Sequence, residues 1–84
     1  MIEDRLIGIN LVYDLKNFPY FVSWEGIDTL ARSLEEAHML ALCRVKYAED
    51  DTTASVYKVK GEQTSTMVEQ VSRLEDQLDI WKRN

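Results

Sequence analysis

Polar and apolar residues alternate along the first part of the chain. Between residues 6 and 13, "LIGINLVY" carries an apolar side chain at every second position, a period typical of a half-buried strand. After a short polar stretch, the aromatic and β-branched run "FPYFVSW" predicts a second strand. Pro19 has no N–H to donate, so this strand should begin near residue 20 or lie at an edge. Gly26 then separates it from a weaker third strand over 27–30.

A helix follows the three strands. Ser33 and Glu36 in "SLEEA" form a capping box, in which the serine oxygen accepts from a free backbone N–H and the glutamate reaches back to the cap. We therefore expect a helix from residue 34 to about residue 47. Its alanines should let it approach the sheet closely, and because it is apolar most of the way round we expect Cys43 to be buried in it.

The second half of the chain predicts one more strand and one more helix. "SVYKVK" over 55–60 has strand composition, and its alternating lysines are typical of an edge strand. Thr66 and Glu69 form a second capping box. Beyond it, apolar residues recur at gaps of four and three, which predicts a helix over 67–83 with this stripe along it: Met67, Val71, Leu74, Leu78 and Trp81.

The expected fold is a single α+β domain over residues 1–84. An antiparallel sheet of three to four strands should pack with two helices in the order β-β-β-α-β-α, because hairpins need no crossover and each strand offers one apolar face. A helix over 67–83 would be about 25 Å long, more than such a sheet covers. Its stripe could face the chain's own sheet, a second copy or a different protein, and we leave these three alternatives open.

Composition limits the function. Fifteen acidic residues against ten basic ones give a net charge of −5, which on average repels nucleic acid and anionic lipid. The single cysteine cannot form an intramolecular disulfide, and this indicates a reducing compartment. We find neither a secretory signal nor an apolar run of about 20 residues. We therefore expect a soluble cytoplasmic protein without a membrane segment.

Residues for catalysis or metal binding are few. His38 and Cys43 lie five residues apart on one predicted helix, about 140° around it, so they cannot form a local pair. One histidine and one cysteine are too few for a zinc site, and the three glycines stand apart. We expect His38 at the helix surface or rim, no enzymatic activity, no cofactor and no metal.

Three groups of residues are candidate interaction surfaces. An acidic set should meet another protein with a basic surface: Glu35, Glu36, Glu49, Asp50 and Asp51. Phe21 should belong to an exposed apolar patch on the open face of the sheet. The C-terminal end of the predicted last helix should support a homodimer through Leu74, Leu78 and Trp81. The alternative is nucleic-acid binding through a local basic patch of Arg44, Lys46, Lys58 and Lys60.

The order of three strands into "ARSLEEA" and a helix resembles the core of HicB-type antitoxins, and more loosely small phage inhibitors such as some anti-CRISPR proteins. The resemblance spans residues 7–45 and rests on element order and the capping box. The glycine-rich strand turn and the DNA-binding tail of the antitoxins are missing, so no functional residue is carried over. The sequence predicts a small acidic adaptor or inhibitor that occupies a partner protein's surface, with a phage or mobile element as the source that the resemblance implies.

Overall fold

The computed structural model describes residues 4–6, 17–61 and 64–83 of the chain. These residues form a mixed α+β fold, as predicted, with a single helix among them. In chain order the elements are β1 (Asp4–Leu6), β2 (Tyr20–Trp24), β3 (Ile27–Ala31), α1 (Leu34–Lys46), β4 (Thr52–Val59), β5 (Thr64–Leu74) and β6 (Gln77–Lys82). Among these described residues, no helix is long and apolar enough to cross a membrane.

The strands form one antiparallel sheet in the order β1-β5-β4-β2-β3. The sixth strand, β6, also pairs with β5. Strand β1 lies against the start of β5, opposite Thr64 to Thr66, and β6 lies against its second half, opposite Glu69 to Leu74. Strand β5 is therefore hydrogen-bonded on both sides, and β6 is paired on one side only within the described chain.

The predicted N-cap at Ser33 is confirmed. The backbone N–H of Glu36 donates to the Ser33 hydroxyl at 3.1 Å, and the helix ends at Lys46, close to the prediction. Ala37, Ala41 and Val45 are buried against the sheet, because small side chains at this spacing let the helix approach closely. The prediction that Cys43 is buried is wrong: it is exposed, since it lies about 200° around the helix from Ala41.

The predicted helix over 67–83 is wrong. This segment forms the β5–β6 hairpin, whose two turn residues, Glu75 and Asp76, have φ values of 51° and 66°, the pattern of a type I′ turn. The capping-box residues Thr66 and Glu69 are both buried in the sheet instead. Pairing along both edges of β5 satisfies its backbone groups across the sheet, and this non-local gain outweighs a local helical signal.

The other strands follow the prediction more closely. The second and third predicted strands are β2 and β3, and Pro19 lies just before β2, where its carbonyl accepts from the N–H of Val59 at 2.8 Å. The fourth begins at Thr52, earlier than predicted, and lies between β2 and β5. Its interpretation as an edge strand is therefore wrong. Most of the first predicted strand, residues 7–13, lies outside the described residues.

Arg73 on β5 holds the chain that leaves α1. Its guanidinium donates to three backbone carbonyls, those of Lys46 at 3.1 Å, Asp50 at 2.9 Å and Ala48. The carbonyls at a helix C-terminus lack intrahelical partners and carry partial negative charge, so a guanidinium there meets both needs. The third nitrogen, Nε, is buried without a partner in the described part. Arg73 thus fixes the C-terminal end of α1 to the sheet.

The β5–β6 turn provides a test of the hairpin. Asn-Gly is the pair that type I′ turns favour, because both residues adopt positive φ at small steric cost. We expect Glu75→Asn/Asp76→Gly to raise the free energy of unfolding by about 1 kcal/mol, measured by urea denaturation. A helix over this segment would give the opposite sign, since glycine inside a helix costs about 1 kcal/mol. As a companion, Gly26→Ala in the β2–β3 turn should lower the free energy of unfolding, because φ is 81° at this position and a Cβ is strained there.

A second variant measures the Arg73 contacts. Arg73→Met keeps an apolar stem but leaves the carbonyls of Lys46, Ala48 and Asp50 without this donor. We expect the free energy of unfolding to fall by about 2 kcal/mol, because hydrogen bonds from charged groups are stronger than neutral ones. Arg44→Met is the matched control, since Arg44 lies over the Trp24 ring at 5.5 Å and should lose less than about 1 kcal/mol. Equal losses would show that Arg73 contributes no more than a surface arginine.

Candidate functional site: a free strand edge and a charged pocket

The first candidate is the outer edge of β6. Every residue of β6 is exposed, and among them are the large apolar side chains of Leu78, Ile80 and Trp81. Exposed edge strands offer unpaired backbone groups to other chains, and proteins usually protect them with charges, proline or a covering element. Strand β6 carries the charged residues Asp79 and Lys82 but no proline, and no element in the described part of the chain pairs with its outer side.

The ladder phase fixes which groups β6 presents. A two-residue turn makes Leu74 and Gln77 a hydrogen-bonded pair. Counting along the strand, residues 77, 79 and 81 bond to β5, and the bond from the N–H of Arg83 to the Val68 carbonyl, at 2.9 Å, continues this phase. The N–H and C=O groups of the alternate residues, Leu78, Ile80 and Lys82, therefore point away from β5 into the open edge.

The helix leaves this edge bare on one face. Val71, which is buried under α1, pairs with Ile80, so Leu78, Ile80 and Lys82 share the helix-covered face of the sheet. The helix packs on β2, β3, β4 and β5. A groove therefore runs between α1 and β6, and at its turn end Leu42 lies near Leu78.

Charges along β6 change sign from one end to the other. Glu75 and Asp76 form the turn and Asp79 follows, whereas Lys82 and Arg83 stand at the far end. The acidic end is extended by Asp51, whose carboxylate accepts from the N–H of Glu75 at 3.0 Å. A strand laid along β6 therefore meets negative charge at one end and positive charge at the other.

The second candidate is a pocket of approximately 570 Å³ at the N-terminal end of α1. At its base lies Glu69, which is only 2% exposed. His38 on α1 places Nδ1 2.7 Å and 2.9 Å from the two Glu69 carboxylate oxygens, and Lys82 Nζ lies 3.8 Å from one of them. Burying an ionised carboxylate is costly unless it is paired, and these contacts supply the pairing.

An irregularity in the sheet positions this carboxylate. The register between β4 and β5 shifts at Val56 and Tyr57, so that Val56 opposes Glu69 and Tyr57 opposes Met67. Val68 is the extra residue, and such a bulge changes where neighbouring side chains point. The consecutive residues Val68 and Glu69 consequently both line the pocket. No group of three or more His, Cys, Asp or Glu side chains in the described residues could hold a metal ion.

The structure divides the predicted acidic set into two. Glu35 and Glu36 lie in the first turn of α1, whereas Glu49, Asp50 and Asp51 follow its C-terminus. The 13-residue helix between them is about 20 Å long. All five are exposed, but they do not form a single surface.

The two apolar predictions have different outcomes. Phe21 is completely buried, stacked on Tyr57 at 5.0 Å between ring centroids, so its assignment to an exposed binding patch is wrong. It belongs to a second small core with Val59, because residues on β2 alternate between the two faces of the sheet. Leu74, Leu78 and Trp81 are exposed, at 61%, 45% and 37%, and their role in self-association stays a prediction. They lie on a hairpin rather than a helix, and Leu78 faces the opposite side of the sheet from the other two.

The predicted basic patch is also divided. Arg44 lies over the Trp24 ring, and Trp24 pairs with Ala54 on β4. Four residues further along the same strand, about 13 Å away, Lys58 lines a different depression with Lys60 and Arg83. The four predicted cations are therefore not one patch, and Lys58 and Lys60 acquire Arg83 as a new neighbour.

Sequence reasoning missed the role of Glu69 and Lys82. Glu69 was assigned to a capping box, because Thr66 precedes it by three residues, and Lys82 was placed at a helix end. The available signal was the β-branched and hydroxyl-rich run "TSTMV" before Glu69, which favours a strand. Even so, no local pattern could bring His38 and Glu69 together across 31 positions.

A double-mutant cycle tests the buried pair. His38→Leu leaves the Glu69 carboxylate buried with only the distant Lys82 to balance it, so we expect it to lower the free energy of unfolding by about 3 kcal/mol. The double variant His38→Leu/Glu69→Leu removes the uncompensated charge and should be more stable than His38→Leu alone. Urea denaturation of the native chain, of His38→Leu, of Glu69→Leu and of the double variant gives the coupling energy. Additive losses would mean that the two side chains do not interact.

In comparisons with known proteins, the chain matches no protein-family model, no curated protein and no solved structure. The resemblance to HicB-type antitoxins therefore receives no support from them.

Proposed function

We propose that this chain is a non-enzymatic protein-binding module, an adaptor or inhibitor, that binds an extended segment of a partner protein along β6. The observation that carries the proposal is the open edge itself. Leu78, Ile80 and Lys82 present backbone donors and acceptors outward, beside exposed apolar side chains. Adding a strand to such an edge is a common way of recognising peptides, with backbone bonds supplying affinity and side chains supplying specificity.

The charges on β6 define the partner segment. A strand antiparallel to β6 should place basic residues opposite the turn end, near Asp76 and Asp79, and acidic residues opposite Lys82 and Arg83. Between them, its apolar side chains should alternate so that one set enters the groove beside Leu78 and Ile80. The segment is thus short, extended, apolar in the middle and oppositely charged at its two ends.

The acidic balance of the chain supports a basic partner at the turn end. Asp50 and Asp51 lie in the loop after α1, and the contact from Asp51 to Glu75 brings that loop beside the β5–β6 turn. Glu75 and Asp76 are exposed in that turn. Charges of one sign gathered at an interface rim mainly accelerate association and select partners. Nucleic-acid binding has less support, because Arg44 and Lys46 lie far from Lys58 and Lys60.

Self-association through Leu74, Leu78 and Trp81 stays a prediction, now with β6 in place of a helix. A second copy of β6, laid antiparallel, would also satisfy the charge order. It is the competing occupant of the same edge. The mass of the native chain in solution, measured by light scattering at increasing concentration, separates the two, because self-pairing doubles the mass without any added peptide.

The proposed function is tested with a random heptapeptide library selected on the native chain. We expect enriched peptides to be apolar in the middle and oppositely charged at their ends. Ile80→Pro should weaken their binding about tenfold or more, because it removes an outward N–H and blocks the edge. The fold should survive, since the Ile80 N–H does not bond to β5. Asp79→Pro removes a ladder N–H and should destabilise the hairpin, which checks the ladder phase.

A matched pair of side-chain variants locates the binding edge. Ile27 and Ile80 are both exposed isoleucines, on β3 and β6 at opposite ends of the described sheet. Ile80→Lys should weaken binding of the selected peptides and Ile27→Lys should leave it unchanged. Peptides that bind Ile80→Pro as tightly as the native chain, or a native chain that is already dimeric through β6, would contradict the proposal.

A further inference from the structure

We propose that the pocket beside His38 and Glu69 binds a small organic anion, in which a phosphate or carboxylate group is attached to a compact apolar body. This site shares Lys82 and Arg83 with the end of the partner edge, but it does not depend on the proposed protein-binding function. The pocket volume of approximately 570 Å³ lies within the range of small-molecule sites in proteins, about 300 to 1,000 Å³.

Three cations line the pocket, one from β4 and two from the end of β6. Lys58 comes from β4, Lys82 from the end of β6, and Arg83 from the residue that follows it. Against the two carboxylates that also line the pocket, Glu35 and Glu69, the three cations leave one positive charge in excess on a chain whose net charge is −5. Cationic side chains gathered in a concave site concentrate anions there, because the low-dielectric walls focus the field.

These cations have N–H groups that are available to a ligand. The side chain of Lys58 makes no hydrogen bond or ion pair with the other residues described, and the single side-chain contact of Lys82, to Glu69, is long at 3.8 Å. Arg83 uses Nε to donate to the Met67 carbonyl at 3.2 Å, which fixes the guanidinium and leaves its two terminal nitrogens for a ligand. A guanidinium held in this way is suited to the two oxygens of a carboxylate or phosphate.

Two carboxylates also line the pocket, those of Glu69 and Glu35. Both oxygens of Glu69 lie within hydrogen-bond distance of His38 Nδ1, at 2.7 Å and 2.9 Å, so this carboxylate already has a partner within the protein. Glu35 lies exposed at the rim and should disfavour large, highly charged ligands. The contact of Nδ1 with Glu69 holds the His38 imidazole in one orientation at the pocket wall.

The rest of the pocket lining is apolar, and it would contact the apolar body of the ligand. Tyr20, Leu34 and Val68 form this wall. Binding sites typically combine such apolar surface with a few convergent polar groups that fix orientation. A phenyl ring or a short aliphatic chain would fill the space beside them, so an aryl phosphate or an aryl carboxylate matches the pocket better than free phosphate.

The experiment titrates the full chain with phenyl phosphate, benzoate and inorganic phosphate at constant ionic strength, followed by calorimetry and by amide chemical shifts. We expect saturable binding of phenyl phosphate or benzoate, with the largest shifts at Lys58, Val68 and Arg83. Inorganic phosphate should bind more weakly, because it makes no contact with the apolar wall. Comparing phenyl phosphate with benzoate identifies which anionic group the pocket prefers.

Variants test whether Lys58 contributes to ligand binding rather than to stability. Lys58→Ala should weaken binding about tenfold, since it removes one charge-assisted contact, and its thermal unfolding should match that of the native chain. Lys46→Ala, at the other end of α1, is the control and should bind normally. Ile80→Pro should also bind normally, so failure at the edge and failure in the pocket are distinguishable.

Three results would overturn the proposal. The first is the absence of saturable binding of either aryl ligand up to about 10 mM, weaker than the affinities useful for a small-molecule site. The second is binding that Lys58→Ala does not change. The third is a single-stranded oligonucleotide that binds more tightly than phenyl phosphate and loses affinity on Lys60→Ala, which would assign the cations to a nucleic-acid surface.

Discussion

The pairing of β5 on both of its sides is the constraint on which the rest of the structure depends. One side bonds to β4, and the other to β1 and then β6. Backbone groups that are paired along both edges need no helix to satisfy them. This strand also contributes Val71 to the main core, so a single segment joins the two halves of the sheet and supports the helix above it.

The same strand holds both ends of α1. Near the helix N-terminus, Glu69 pairs with His38, and past the C-terminus Arg73 donates to the carbonyls of Lys46, Ala48 and Asp50. These contacts are polar and directional, whereas the alanine face between them is small and apolar. Packing alone would let a helix with such a smooth face slide, and the two polar contacts set its position over β4 and β5.

That position creates both candidate sites. Because α1 is centred on β4 and its neighbours, it stops short of β6 and leaves Leu78 and Ile80 uncovered. His38 contacts Glu69 on β5, and a pocket lies there between the start of the helix and the end of β6. The edge offers backbone groups and apolar side chains to an extended chain, and the pocket offers cations to a small anion. Lys82 and Arg83 lie at the boundary between the two surfaces.

The sequence by itself determined the parts of this protein that depend on neighbours in the chain. The cap at Ser33, the helix after it, and strands β2 and β3 around Gly26 follow from residues a few positions apart, and the acidic balance follows from composition. Only the tertiary structure decided the state of residues 64–82, because the same apolar spacing suits a helix surface and a hairpin, and the choice depends on distant partner strands. The burial of Phe21 and the pairing of His38 with Glu69 were decided in the same way, since each joins segments that the sequence separates.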